Sequence, residues 1–264
     1  MRLGLGLGLT ATRRSGSAAW DPTAIAGLSF WAEARAADLW QDAAKTTAVT
    51  TATNPARVMV ARSPAVDLVA PSDAARPTWT DTGLGGGPGL IFDKTDDYLR
   101  SATAGLTGAQ TWIIRWAWGG TASERVPFGQ MAAGPTCNEL WFRAATSLRV
   151  HFGQSGTSTA SVYAAISSAG TGAHTTVITW DGVSPSATSS YTVTQDGSLC
   201  TLSVGSLLTR PTTTTGARTT IGARNADAAN FFFDGTVGLV IVASGVLTGA
   251  DLTEATAYAD GWTL

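Results

Sequence analysis

Charge is scarce in this 264-residue chain: Asp, Glu, Lys and Arg make up 14% of it, against roughly 25% in ordinary soluble domains. With a net charge of −2 and a pI near 5.6, it carries no basic footprint for nucleic acid. Thiols are scarce too. Cys137 and Cys200 are too few for a zinc site or a disulfide framework, which leaves small core residues or one bridge between them. The only histidines are His151 and His174, and no G-x-S-x-G elbow surrounds a serine, so a Ser-His-Asp triad has no support. Neither histidine has a second His or Cys at ligand spacing. Gly85-Gly86-Gly87 lacks the G-K-[ST] ending and the following helix of a phosphate loop. No apolar run approaches the ~20 residues that span a membrane, and M-R-L-G-L-G-L-G-L-T lacks the continuous apolar stretch of a signal peptide. The expectation is a soluble protein made without an export signal.

What the chain has instead is 44% hydrophobic residues, 10 tryptophans and abundant Thr, Ser, Gly and Ala. That mixture suits a β-rich shell rather than a disordered, charge-driven chain. Residues 138–152, N-E-L-W-F-R-A-A-T-S-L-R-V-H-F, are the clearest local pattern. Period-two alternation predicts two half-buried strands joined by a turn at 144–146. The register that keeps the apolar set together places Phe142 opposite Leu148 and Leu140 opposite Val150 on the buried side. Trp141 then opposes Arg149, and Glu139 opposes His151, on the other side.

Residues 2–19 are distinct. Leu3, Leu5, Leu7 and Leu9 alternate with glycine, so an extended chain would place every leucine on one face and bare backbone on the other. This predicts an arm that orders against a partner or neighbouring subunit, with an edge strand of the same domain as the alternative. The globular part starts at Trp20. Strands are expected over 25–33, then at 89–93 and 97–101 as a pair, and at 111–118, where Trp112, Trp116 and Trp118 form a core stripe. Further strands are expected at 175–180, at 191–195 and 199–204 around Asp196-Gly197, and at 218–223 and 231–243, with a turn at Asp234-Gly235. The long segment 39–79 reads as irregular cover. Only 248–260 reads helical, with Thr248 as N-cap, a stripe of Leu252, Ala255 and Ala259, and Asp260-Gly261 as the stop. Many short strands between Gly/Asp turns indicate an all-β sandwich.

L-W-Q-D-A-A-K-T-T-A-V-T, then A-A-R-P-T-W, then G-L-I-F-D-K-T-D-D-Y-L form an ordered succession. It resembles the N-terminal half of phage or gene-transfer-agent virion proteins that carry a LamG-like, concanavalin A-like jelly roll. T-W-D-G at 179–182, Q-D-G at 195–197 and F-D-G-T-V-G at 233–238 are similar to that fold's strand-turn signals. Two features depart from the pattern: Lys94 stands where the family often has glycine, and 63–73 replaces a D-x-S-G-N-G-N segment. The resemblance implies an antiparallel β-sandwich over 20–264 with one short C-terminal helix, beside the attachment arm and linker that the Leu/Gly pattern predicts over 1–19. It also implies a virion setting: a head or tail spike, fibre or decoration on the particle surface, assembled in the bacterial cytoplasm. The arm would contact other virion proteins, and the protein would be a homo-oligomer.

Concanavalin-like glycosidases present carboxylates as an E-x-D-x-x-E run, and none exists here; Glu33, Glu124, Glu139 and Glu254 are isolated. The expectation is therefore not an enzyme. Flat sugar faces stack on Trp, and Arg, Glu and His satisfy hydroxyls, so Trp141, Arg143, Arg149, His151 and Glu139 are the candidate carbohydrate face. The alternative is a Trp141–Arg149 cation–π pair that merely stabilises the sheet. Asp93, Asp96 and Asp97 cluster at one turn and could supply calcium with hard oxygens; the alternative is that Asp93 and Asp96 cap the turn and Asp97 is exposed. No other cofactor is expected. The function expected is display of a lectin-like domain to host surface polysaccharide. Alternatives are decoration without receptor binding and a capsular depolymerase.

Overall fold

Alternating and β-branched segments fold as the sequence predicts, into short antiparallel strands. The computed structural model describes residues 20–102, 105–120, 124–131, 137–144, 146–154, 158–159, 161–166, 170–205, 208–209, 218–224 and 231–263. The chain passes through β1 (Leu28–Glu33), β2 (Leu39–Trp40), β3 (Val58–Arg62), β4 (Ala65–Val69), β5 (Thr78–Leu84), β6 (Gly87–Asp93) and β7 (Leu99–Ser101). Next come β8 (Gln110–Trp118), β9 (Arg125–Met131), β10 (Cys137–Ala144), β11 (Ser147–Gln154), β12 (Ser158–Thr159), β13 (Val162–Ala165) and β14 (Ala173–Trp180). The last strands are β15 (Tyr191–Gln195), β16 (Ser198–Leu199), β17 (Thr201–Val204), β18 (Leu208–Thr209), β19 (Arg218–Ile221) and β20 (Asp234–Ser244), before the helix α1 (Gly249–Asp260).

Among the described residues, an eight-stranded sheet runs β16-β15-β14-β8-β20-β6-β5, with β1 also on β20. A ten-stranded sheet runs β17-β13-β11-β10-β9-β19-β7-β4-β3-β2, and β12 and β18 pair by themselves. The two large sheets share one apolar interior. Trp112 and Trp116 of β8 are wholly buried there. Trp112 meets Phe128 and Phe152 edge-on, with centroids 4.7 and 4.6 Å away, and Trp116 lies 4.1 Å from Phe142. The tryptophan stripe is core. Ile113, Val177 and Ile241 face the other way, under Ala255 and Ala259 of α1 and under Trp262. This is a jelly-roll-type all-β fold with one short helix.

Several boundaries differ from expectation. The segment 39–79 is not irregular: β3 and β4 form a hairpin in it. V-M-V-A-R shows no alternation because Val58, Met59 and Ala61 are all buried. The 89–93 and 97–101 strands do not pair. β6 lies between β5 and β20 in one sheet, β7 between β19 and β4 in the other, so the intervening turn carries the chain across the sandwich. Lys94 takes φ +64 in that turn, the left-handed conformation that glycine adopts without strain. Asp234-Gly235 is not a turn but the start of β20. A Cβ on Gly235 would lie 2.2 Å from the Ala117 carbonyl oxygen, so glycine there serves close strand approach. Asp196 and Gly197 do make a hairpin, at φ +50 and +76, but it joins β15 to β16 only; β17 belongs to the other sheet. α1 ends at Gly261 and begins after Thr248, whose side chain makes no cap hydrogen bond. The arm, with Leu3, Leu5, Leu7 and Leu9, lies outside the described residues.

Candidate functional site

The β10–β11 hairpin has the predicted register: Glu139 opposes His151, Leu140 Val150, Trp141 Arg149 and Phe142 Leu148. Leu140, Phe142, Leu148 and Val150 enter the core. The polar row occupies the opposite face of the ten-stranded sheet, but all of it except Arg143 is shut off from solvent. Glu139 and His151 are wholly buried, Trp141 is 1% exposed and Arg149 2%. Phe231 packs 4.9 Å from the Trp141 ring, and Arg224 holds its guanidinium 5.2 Å over it. Trp141 Nε1 donates to Glu139 Oε2 at 3.1 Å, and Arg224 Nε stands 3.6 Å from Glu139 Oε1. The expected sugar shelf on Trp141 is therefore corrected: a ring this covered offers no face to a ligand. The cation over it is Arg224 rather than Arg149. Glu139 is engaged by Trp141 and Arg224, and its place opposite His151 is a matter of backbone register.

The row reaches the surface at one end. Tyr163 of β13 pairs with Arg149 of β11, and Arg149 donates from Nη2 to the Tyr163 hydroxyl. The Arg143 and Arg149 guanidinia lie 4.8 and 4.9 Å from the Tyr163 ring centre. Glu124 Oε1 sits 3.1 Å from Arg149 Nη1 and 3.9 Å from Arg143 Nε. The Arg143 side chain is 48% exposed and that of Glu124 33%, so this rim is open while Arg149 forms its floor. Arg143, Arg149 and Arg224 against Glu124 and Glu139 leave an excess of one positive charge. Such a set binds a carboxylate by charge-assisted hydrogen bonds beside an aromatic plane. Glu124, Tyr163, Arg224 and Phe231 were not among the residues the sequence pointed to. They come from four separate segments, and V-Y-A-A is too short to show which side Tyr163 takes.

The acidic turn between β6 and β7 is a second constellation. Carboxylate oxygens of Asp93, Asp96 and Asp97 all lie within 4.8 Å of one another. Asp93 is the exposed member and caps the turn, accepting from Thr95 N at 2.8 Å and Asp96 N at 3.4 Å. Asp97, expected to be exposed, is buried and accepts from Asp93 N at 3.1 Å. Burial foremost, then the charge of Asp93, pushes its carboxyl up from 3.8 to about 7 despite that N–H, with Asp96 adding a little. Hard oxygens of this kind fit calcium, with carbonyls and water completing its 6–8 ligands. His174 puts Nδ1 2.7 Å from Asp196 Oδ2 and packs its ring 5.0 Å from Trp116. Cys200 is a free, buried thiol; the side chain of Cys137 lies outside the described residues.

No family model and no curated protein matches the chain. Solved structures do. A Trypanosoma rangeli sialidase in complex with 2,3-difluorosialic acid aligns with a TM-score of 0.51 at 15% identity, over 97% of this chain and 36% of its own. The same sialidase in complex with sialic acid gives 0.51 at 15%, over 94% and 35%. A carbohydrate-binding module of Ruminococcus gnavus IT-sialidase, bound to α2,3-sialyllactose, aligns at 0.39 and 12% identity, over 57% and 83%. The chain thus spans about a third of the length of the sialidase it matches. At this identity the likeness establishes the β-sandwich fold. Because sialidases are among the structures that share this fold over about a third of their length, the expectation that this protein is not an enzyme is corrected: missing local motifs do not exclude catalysis.

Proposed function

We propose that the chain is a glycan-binding sandwich of a phage or phage-like particle, and that Arg143, Arg149 and Tyr163 bind acidic host-surface polysaccharide. One observation carries the ligand class. A carboxylate, that of Glu124, is held by two guanidinia beside the Tyr163 ring at a rim open to solvent. A uronic or other acidic sugar presents the same carboxylate next to a flat ring face. The fold shared with a sialidase solved with sialic acid supports a sugar ligand; the particle setting rests on the ordered sequence pattern of residues 39–99. Repeated copies on a particle would turn weak single sites into firm attachment. The test is binding of the full chain to immobilised acidic and neutral polysaccharides. Arg143→Ala should weaken acidic-glycan binding at least tenfold and leave the melting temperature unchanged. Equal binding by wild type and variant, or no binding to any glycan, overturns this reading and favours a decoration protein.

A second reading, a capsular depolymerase, is favoured by Asp97. A buried carboxyl pushed up to about 7 by burial and by the neighbouring Asp93 has the chemistry of a general acid. Incubation with purified capsule decides it: new reducing ends with wild type, and none with Asp97→Asn.

A further inference from the structure

Among the described residues, one flank of the sandwich is left open. β16 ends the eight-stranded sheet, β17 ends the ten-stranded sheet, and Cys200 alone joins them. Val204 lies opposite Val162 and Leu202 opposite Ala164. Val162 and Ala164 are wholly buried core residues, so Leu202 and Val204 point to the core side of their sheet. Leu202 still packs on the core, but Val204 is 60% exposed and Leu199 of the facing edge 73%. Between the edges lies a groove of about 310 Å³, lined by Ala165, Ile166, Ser198, Leu199, Cys200 and Thr201. An apolar core opening onto water beside an unpaired strand edge is a template for one more strand.

We propose that this flank receives residues 3–9 of a second copy of the chain. L-G-L-G-L-G-L has the pattern the flank lacks. Added beside β17, its four leucines fall on one face, over Leu199, Leu202 and Val204. Its glycines face outward, where they let another backbone approach. Main-chain hydrogen bonds to β17 set the affinity, and the leucine period sets the side that is buried. Residues 10–19 form the tether; ten residues reach at most ~33–36 Å, enough to cross to a copy standing alongside. Leu199 and Val204 are the exposed apolar surface that this strand would cover.

Two differently tagged full-length versions, Leu5→Cys and Val204→Cys, each with Cys137→Ala and Cys200→Ala, are co-expressed and mildly oxidised. A disulfide linking the two tags is the expected result. A chain carrying both new cysteines that closes only on itself, or no cross-link in either format, overturns the proposal. Light scattering supplies a readout free of new thiols. The 27.1 kDa chain should run at two or more copies, and both deletion of residues 2–9 and Val204→Lys should give monomers that keep the parent's circular dichroism. A folded deletion variant with unchanged mass also overturns it.

Discussion

Tyr258 of the C-terminal helix donates its hydroxyl hydrogen to Oε1 of Glu33 in the first strand, across 225 residues of sequence. Glu33 is wholly buried and also accepts from Trp31 Nε1 at 3.0 Å and Arg35 Nε at 3.0 Å, while Arg62 Nη1 stands 3.1 Å away. The helix, β1 and β3 are thereby tied through one carboxylate. Tyr258→Phe should cost ~1.5–3 kcal/mol, the range for a hydrogen bond to a charged group. Glu33→Gln should cost more than that, because it weakens the bonds to Tyr258 and Trp31 together and leaves Arg35 without its carboxylate and Arg62 with Asp38 alone. Urea unfolding of both variants checks the order. Burial and the bond to Glu33 hold the Tyr258 phenol above its ordinary 10.0. Its contribution is therefore full below pH 10 and declines as the pH rises beyond it, a decline that Tyr258→Phe should remove.

Asp97 makes stability depend on pH in a defined direction. Its carboxyl is raised in the folded state, from 3.8 to about 7, so the neutral form is the one the fold favours. The stabilisation is full below the unfolded value and is lost as pH rises through about 7. Melting temperatures should fall between about pH 4 and 7 and level off above, and Asp97→Asn should flatten that profile. If calcium uses the turn, millimolar calcium should raise the melting temperature of wild type at pH 8 and leave that of Asp97→Asn unmoved.

Trp141 and Arg143 are two residues apart in one strand, yet their substitutions should separate cleanly. Trp141→Ala removes a buried ring from between Arg224 and Phe231 and should cost ~3–5 kcal/mol. Arg143→Ala, at a side chain 48% exposed, should stay within ~0.5 kcal/mol and appear only in glycan binding. Chemical denaturation and binding measured on the same preparations distinguish the two.

Glu124 should behave as a competitor of the ligand. Glu124→Gln vacates the two guanidinia without removing bulk, and a half-exposed pair of this kind contributes ~0.5–1 kcal/mol. Affinity for an acidic polysaccharide should therefore rise roughly two- to fivefold. A fall in affinity would instead make Glu124 part of the binding surface.

Much of the fold is legible in residues 138–152. Strict alternation, with a one-residue slip turning every leucine outward, is enough to place Trp141 against Arg149 and Glu139 against His151. The same alternation says nothing of what lies on the far side of the row. A polar face is polar whether water or Arg224 satisfies it, so the burial of Trp141 was invisible. The β3–β4 hairpin was hidden for the opposite reason: a strand covered on both faces loses its period-two signature.

Local order in the chain thus determines the fold class, the tryptophan core of β8, the β10–β11 register and the closing helix. Each depends on periodicity or on turn residues within a dozen positions. Only the tertiary structure decides the geometry of the candidate site. Arg143, Arg149, Tyr163 and Glu124 meet because β10, β11 and β13 are neighbours in one sheet and Glu124 arrives at its rim. Likewise, Asp97 is raised because the turn that crosses the sandwich buries it beside Asp93. Contacts between segments far apart in sequence leave no trace in local pattern, and it is those contacts that set burial, charge pairing and the open rim.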